Sequence, residues 1–160
     1  SLHYYCSESQ GKVEKISISD TIGIALKEYE KRIKTHTISV NVDLDNDLQI
    51  YAEKEAIIHL WMILLDNSID ALTEHENFKN IFISINKNAG EIQINFEDNA
   101  CGIHPDIQED IFKALTKNKD YGGIGIGLYV AKVIVENNSG TISFCTNNKG
   151  TKFTITLPLS

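Results

Sequence analysis

The chain has 160 residues, 42% of them hydrophobic and 23% charged, with 2 Pro and 10 Gly. That is enough chain to bury a core without disulfides or a structural metal, and the composition excludes collagen-like, low-complexity and wholly disordered classes. With 15 Lys plus Arg against 22 Asp plus Glu the formal net charge is −7, which argues against nucleic acid or an anionic membrane surface as a bulk partner, because phosphate contact on that scale needs a basic face.

The cysteines, Cys6, Cys101 and Cys145, are widely spaced and form no CxxC pair. Neither zinc nor a thioredoxin-like centre is indicated, and reduced thiols in a cytoplasmic setting are expected. No apolar run approaches the ~18 residues of a membrane span; the longest, from Ile57 to Leu65, stops at Asp66. The start, Ser1-Leu2-His3-Tyr4-Tyr5, has neither a basic nor an apolar leader segment and no initiator Met. The chain is therefore expected to be a piece of a longer protein, with any sensor or membrane span outside it.

In chain order, residues 1–15 are polar and read as a connecting arm. Ser19-Asp20 can cap a helix over about 20–34, with Ile22, Leu26, Tyr29 and Ile33 at helical spacing. Residues 37–42 alternate as a strand, 43–47 turn, and 48–51 form a short apolar run, so a strand pair is expected here. From Glu53 to Glu74 the period is helical, with Ile57, Trp61, Leu64, Leu65 and Leu72 as the apolar stripe, and Asn67, Asp70 and Glu74 together on a polar face. Strands at 81–85 and 91–96 flank the turn Asn88-Ala89-Gly90 and predict a hairpin. A loop over 97–104 leads to a short helix from Pro105 to near Phe112. Residues 114–124 read as a glycine-bearing loop, 126–137 as a helix ended by Asn138-Ser139-Gly140, and 141–144 with 153–157 as a last hairpin. Hairpins mixed with helices exclude an alternating parallel βαβ fold. The expected class is an α+β two-layer sandwich, with a mixed, mainly antiparallel sheet covered on one face by helices.

Three segments could carry chemistry. In Asp66-Asn67-Ser68-Ile69-Asp70-Ala71, an Asn interrupts an apolar helix despite its poor helix propensity. Its amide oxygen suits a Mg²⁺ already held by phosphates, although it could equally cap or face solvent. In Glu97-Asp98-Asn99-Ala100-Cys101-Gly102-Ile103, an Asp at a strand end can accept from an exocyclic amine, and Gly102 lets backbone approach a flat ring; the competing reading is a plain Asp-Asn turn. In Gly122-Gly123-Ile124-Gly125-Ile126-Gly127-Leu128, glycines open a helix, where free backbone N–H groups can take phosphate, unless the segment is only a hinge. The spacing fits neither the Rossmann fingerprint nor a P-loop, and protein-kinase HRD and DFG signatures are absent.

In this order and separation, the three segments resemble the catalytic ATP-binding domain of sensor histidine kinases, relatives of the gyrase, Hsp90 and MutL ATPases with the Bergerat nucleotide fold. The resemblance covers about residues 16–158. Residues 64–72 resemble the N box, 98–103 the G1 box, 111–119 the F box and 123–128 the G2 box; the closing stretch 150–158 is also similar. The resemblance implies a linker at 1–15 from a missing helical dimerisation and phosphoacceptor domain, and a catalytic domain over 16–160. It implies ATP and Mg²⁺ as cofactors, with Asn67 as the Mg²⁺ ligand and Asp98 on the adenine amino group. Gly102 and Ile103 would line the adenine pocket, and Gly123, Gly125 and Gly127, with Leu128, would wrap the phosphates. Asp70 and Ala71 belong to the same nucleotide-facing stretch, Lys119 could reach the terminal phosphate, and 114–124 would be the ATP lid. The reaction implied is transfer of the γ-phosphoryl group to a histidine on the helical domain, mostly by positioning and charge neutralisation. A response regulator would be served through that domain, with a full-length homodimer, no nucleic acid and no direct membrane contact. An anti-sigma-type serine kinase, or a degenerate docking module, are the alternatives the same motifs admit.

Several residues depart from the family pattern. Ile63 stands four residues before Asn67, where gyrase-like relatives carry a Glu, which argues against a stand-alone hydrolase. Asp70 stands where a basic residue is frequent, although an Asn-x-x-Asp-Ala form also occurs in some members, and a carboxylate beside polyphosphate is repulsive unless screened; it is expected to face away from the nucleotide or to hold a metal-bound water. Ala100, Cys101 and Ala114-Leu115 replace the usual Gly, Pro and Pro-aromatic pair. Cys101 is read as a small structural residue, His59 as a core or flank histidine, and no phosphoacceptor box is visible.

Overall fold

The computed structural model describes residues 11–44, 48–75, 77–114 and 126–159. Strand β1 (Val13–Ser17) leads into helix α1 (Ile18–Glu28), followed by α2 (Glu30–Thr35), β2 (Ser39–Asp43), β3 (Gln49–Glu53) and the long α3 (Lys54–Thr73). The hairpin β4 (Asn80–Asn88) and β5 (Glu91–Asp98) comes next, then a 3-10 turn (Pro105–Asp110), α4 (Gly127–Asn137) and the hairpin β6 (Thr141–Asn147) and β7 (Gly150–Pro158). The strands form a five-stranded sheet in the order β2-β4-β5-β7-β6, antiparallel except for β2 beside β4, and a separate antiparallel pair β1-β3. This is the expected mixed sheet with helices on one face.

Four boundaries differ from the sequence reading. Val13 to Lys15, assigned to the arm, lie in β1 and pair with Tyr51 to Glu53 of β3. The cap of α1 is Ser17, whose Oγ accepts from the Asp20 N–H at 3.1 Å, so the helix starts before Asp20. The expected single helix over 20–34 breaks at Tyr29 (φ −101°, ψ 7°) into α1 and α2. Finally, β2 and β3 do not pair. Ile18 N–H donates to Leu48 O at 3.0 Å, which ties the start of β3 to α1, while β2 runs parallel to β4 across the α3 crossover. Local alternation marks a strand but not its neighbour, which is why this pairing was not legible.

Helix α3 organises the core. Ala56, Ile57, Leu60, Trp61, Leu64, Leu65, Ile69 and Leu72 recur at three- and four-residue spacing and are all buried. By length and composition alone α3 could cross a membrane, but half of its apolar window is covered by the rest of the fold. It lies on the inward rows of the sheet: Ile81, Ile83 and Ile85 of β4, Ile92, Ile94 and Phe96 of β5, and Phe153, Ile155 and Leu157 of β7. The Trp61 and Phe96 rings stack at 5.5 Å between centroids. The Trp61 indole N–H donates to Thr21 Oγ1 at 2.9 Å, and that hydroxyl donates to Ile18 O at 2.7 Å, so a fully buried polar pair pins α3 to α1. Thr21→Val keeps the shape but leaves the indole N–H without an acceptor. It is expected to cost about 1–3 kcal/mol in urea denaturation; an unchanged midpoint would contradict this account.

Candidate functional site

The inward row of β5 runs Ile92, Ile94, Phe96 and then Asp98, because alternate strand residues share a face. A carboxylate therefore ends on the apolar side of the sheet, 7% exposed. Burial pushes the Asp98 carboxyl above its ordinary range; the Ala100 and Thr151 backbone N–H groups and the nearby Ser68 hydroxyl pull the other way. Ala100 N–H donates to Asp98 Oδ1 at 3.1 Å, so the turn reading of this segment is present within the site rather than instead of it. Ser68 Oγ is fully buried beside the carboxylate yet makes no hydrogen bond of normal geometry. A buried hydroxyl beside a buried carboxylate gives this end of the pocket the polar groups that a polar ligand or a water can use.

The loop after Asp98 is braced from two sides. Asn99 Nδ2 donates to Phe78 O at 2.6 Å and Asn99 Oδ1 accepts from Asn80 N–H at 2.7 Å. On the other side Ile103 N–H donates to Thr146 Oγ1 at 2.9 Å. Gly102 has φ +86°, and a Cβ there would lie 1.9 Å from Asn147 O; at Gly150, φ +148°, it would lie 2.0 Å from Asp98 O. Both glycines are thus required by the close packing of this loop against the β6-β7 turn, a reason for Gly102 beyond the approach to a ring considered from sequence. Ala100 is buried without a left-handed backbone, so its methyl is accommodated without strain. Cys101 is an exposed free thiol rather than a packed residue.

Asn67 and Ser68 are consecutive on α3, so their side chains diverge by about 100°. Ser68 turns into the core beside Asp98, while Asn67 is half-buried on the adjoining face. One turn earlier, Ile63 Cγ2 would lie 3.4 Å from a Cβ at Gly127, which brings the start of α4 to the same face. No side chain caps α4 at Ile126. Its first N–H groups therefore have no side-chain cap to satisfy them, as a phosphate site needs. Leu128 is 2% exposed and part of the core, so only its backbone could serve a ligand. Ile103 is half-buried and Ala71 is exposed one turn beyond Asn67. Lys119, Gly123, Gly125 and residues 115–124 of the expected lid lie outside the described residues. Phe112, shortly before the segment expected to be a lid, contacts Phe144 and Phe153 edge-on, with Lys132 Nζ 6.0 Å from its ring centre. His59 is half-buried and its pKa is lowered by burial, in keeping with a flank histidine.

Asp70 faces Arg32. Arg32 Nη1 donates to Asp66 Oδ1 and Nη2 to Asp70 Oδ1, each at 2.6 Å, and the guanidinium lies 5.8 Å from the Tyr29 ring centre. All three charged side chains are substantially solvent-exposed, and ion pairs of this kind are worth about 0–1 kcal/mol to stability. Arg32, Ser68, Thr146 and Thr151 were not singled out from sequence. Thr151 pairs with Asp98 across β5 and β7, and Ser68 could have been inferred from the helical step after Asn67. Nothing in the local sequence announces Arg32, 34 residues from Asp66.

For Mg²⁺, no cluster of three or more His, Cys, Asp or Glu exists among the described residues. The donors fit a cation that brings most of its ligands as phosphate and water and takes one neutral amide oxygen, not one caged by protein.

Residues 52–160 match the histidine kinase-, DNA gyrase B- and HSP90-like ATPase family. The chain belongs to that family, and it is an ATP-binding domain of the histidine-kinase type. It is 30% identical over 151 residues to histidine protein kinase SaeS of Staphylococcus aureus (strain USA300), covering 90% of this chain and 43% of that protein. It is 35% identical over 128 residues to a probable C4-dicarboxylate sensor kinase of Bacillus subtilis (strain 168), covering 76% of this chain and 24% of that protein. The chain thus spans less than half the length of these relatives. Among solved structures, the catalytic domain of histidine kinase ThkA superposes with a TM-score of 0.81 at 21% identity, over 92% of this chain and 98% of that one. Full-length ShkA in complex with AMPPNP gives 0.81 at 15% identity, over 99% of this chain and 34% of that one. At these identities the superpositions establish the fold.

The raised Asp98 pKa has a signed consequence. The folded state holds this proton more tightly than the unfolded chain, so Asp98's contribution to stability is greatest in acid and is lost as pH rises through the folded pKa. In the ligand-free chain, Asp98→Asn removes the buried charge and offers Ser68 Oγ a donor. Its gain in melting temperature over the parent is expected to grow as pH rises from the ordinary carboxylate range, about 4, towards neutrality. A gain that does not vary with pH would refute the buried-charge account.

Proposed function

We propose that this domain donates the γ-phosphoryl group of ATP to a histidine on a separate helical dimerisation domain, as part of a cytoplasmic kinase module of a two-component sensor. Residues before β1 would link the two domains, the full-length protein would be a homodimer, and a response regulator would receive the phosphoryl group through the helical domain. Neither nucleic acid nor direct membrane contact belongs to this module. The observation that carries the reading is the buried Asp98 carboxylate with the buried Ser68 hydroxyl beside it, one helical step from Asn67. An acceptor so placed suits the amino group of a purine, and an acid kept partly desolvated binds such a donor strongly.

In this reading Asp98 accepts from the adenine amino group, with Ser68 Oγ completing the polar end of the pocket and the Gly102-Ile103 backbone lining its side. Asn67, with Asp70 and Ala71 on the next turn, borders the phosphates, and the N–H groups opening α4 at Gly127 and Leu128 face them with Gly123 and Gly125. Lys119 would reach the terminal phosphate. Mg²⁺, held by Asn67 and the phosphates, would supply charge neutralisation at the transferring group. The chain's own share is to bind, orient and exclude water, while the accepting imidazole comes from the other domain. Ile63, four residues before Asn67, offers no carboxylate to activate water, which favours transfer over hydrolysis.

The isolated chain is expected to bind Mg·ATP in calorimetry without labelling itself from γ-labelled ATP, and labelling should appear when the helical domain is added. Stable self-labelling of this chain alone would sink the assignment, and label recovered on a partner's serine would favour the anti-sigma-type kinase. Asp98→Asn should weaken ATP binding on the order of 100-fold, the worth of a charge-assisted hydrogen bond in a buried site; unchanged affinity would refute its adenine role.

A further inference from the structure

Asp66 and Asp70 lie one residue before and three residues after Asn67, so both carboxylates project within about 100° of it around α3. Left alone they would place two negative charges beside the proposed triphosphate site. Arg32 reaches across from α2 and puts one guanidinium nitrogen on each carboxylate, at 2.6 Å, using its fixed fork to span two acids rather than one. Tyr29, at the joint between α1 and α2, has its ring beneath the guanidinium. The pairs are too exposed to contribute much to folding, so the bridge is better explained by what it does to the local field.

We propose that Arg32 is a positioning residue of the nucleotide site: by clamping Asp66 and Asp70 it cancels one of the two negative charges flanking Asn67 and lets a polyphosphate approach that face of α3. Arg32 therefore sets how strongly the site prefers a triphosphate over an uncharged nucleoside. The inference rests on the nucleotide reading above.

The test compares Mg·ATP with adenosine by calorimetry on the 160-residue chain. Arg32→Gln should weaken Mg·ATP binding on the order of tenfold, the effect of exposing one net charge several ångströms from the phosphates in a partly screened site, and leave adenosine binding unchanged. Adding Asp70→Asn to Arg32→Gln should restore most of the ATP affinity, and Arg32→Lys should fall between parent and Arg32→Gln. Equal losses for ATP and adenosine, no loss for ATP, or no recovery in the double variant would each overturn the proposal, since a merely structural role predicts no dependence on ligand charge. Should Arg32→Gln fail to fold, Asp70→Asn alone decides: it must raise the ATP-to-adenosine affinity ratio above the parent's, and an unchanged ratio overturns the proposal. A parent chain that binds neither ligand removes the nucleotide reading itself. A parent that binds ATP while the variants show no charge dependence removes only the role of Arg32.

Discussion

The placement of α3 on the sheet is the constraint on which the remaining structure depends. Its apolar stripe is long, but a stripe alone permits sliding along the sheet and rotation about the helix axis. The Trp61–Phe96 stack and the Trp61–Thr21–Ile18 hydrogen-bond relay remove that freedom, because each is buried and directional. Phe96 stands two residues before Asp98 on the same face of β5. The contact that fixes α3 therefore also fixes the distance from the helix to the buried carboxylate, and Ser68 and Asn67 are placed as a consequence, roughly two turns beyond Trp61.

A site built this way divides its tasks by direction. The side of α3 that turns into the core meets the buried Asp98, where a hydrogen bond to the proposed ring amine would be strong. The adjoining side remains half-exposed and meets the uncapped start of α4, where dipoles and screened charge suit phosphate. The two ends of a nucleotide bound as proposed would find different dielectric environments within one helical step. The acidic surface of the chain does not oppose the proposed phosphate site, which would rely on oriented N–H groups, an amide oxygen and one bridging guanidinium, not on a basic face.

Close backbone packing gives the loop after Asp98 its shape. Gly102 and Gly150 let the loop and the β6-β7 turn interlock, and Thr146 closes the join by accepting from Ile103 N–H and bonding to Thr151 Oγ1 at 2.9 Å. Rigidity here matters for function, since a pocket wall that is already ordered loses little entropy when a ligand binds.

The sequence by itself determined the class of fold, the helical identity of α3, the two long hairpins and the order of the motifs. Each of these rests on short-range periodicity or turn chemistry that is written locally, as in Ile92, Ile94, Phe96 and Asp98, or Asn88-Ala89-Gly90. It also placed Asn67, Asp98 and Gly102 on the right elements. Only the tertiary structure decided that β3 pairs with β1 rather than β2, that Tyr29 divides the first helix, that Ser68 sits against Asp98, and that Asp70 faces Arg32. Those outcomes depend on which distant segments meet once the α3 face is buried. No local pattern records a contact such as Arg32 to Asp66, because the energy that creates the encounter comes from the core between them and not from the charges themselves.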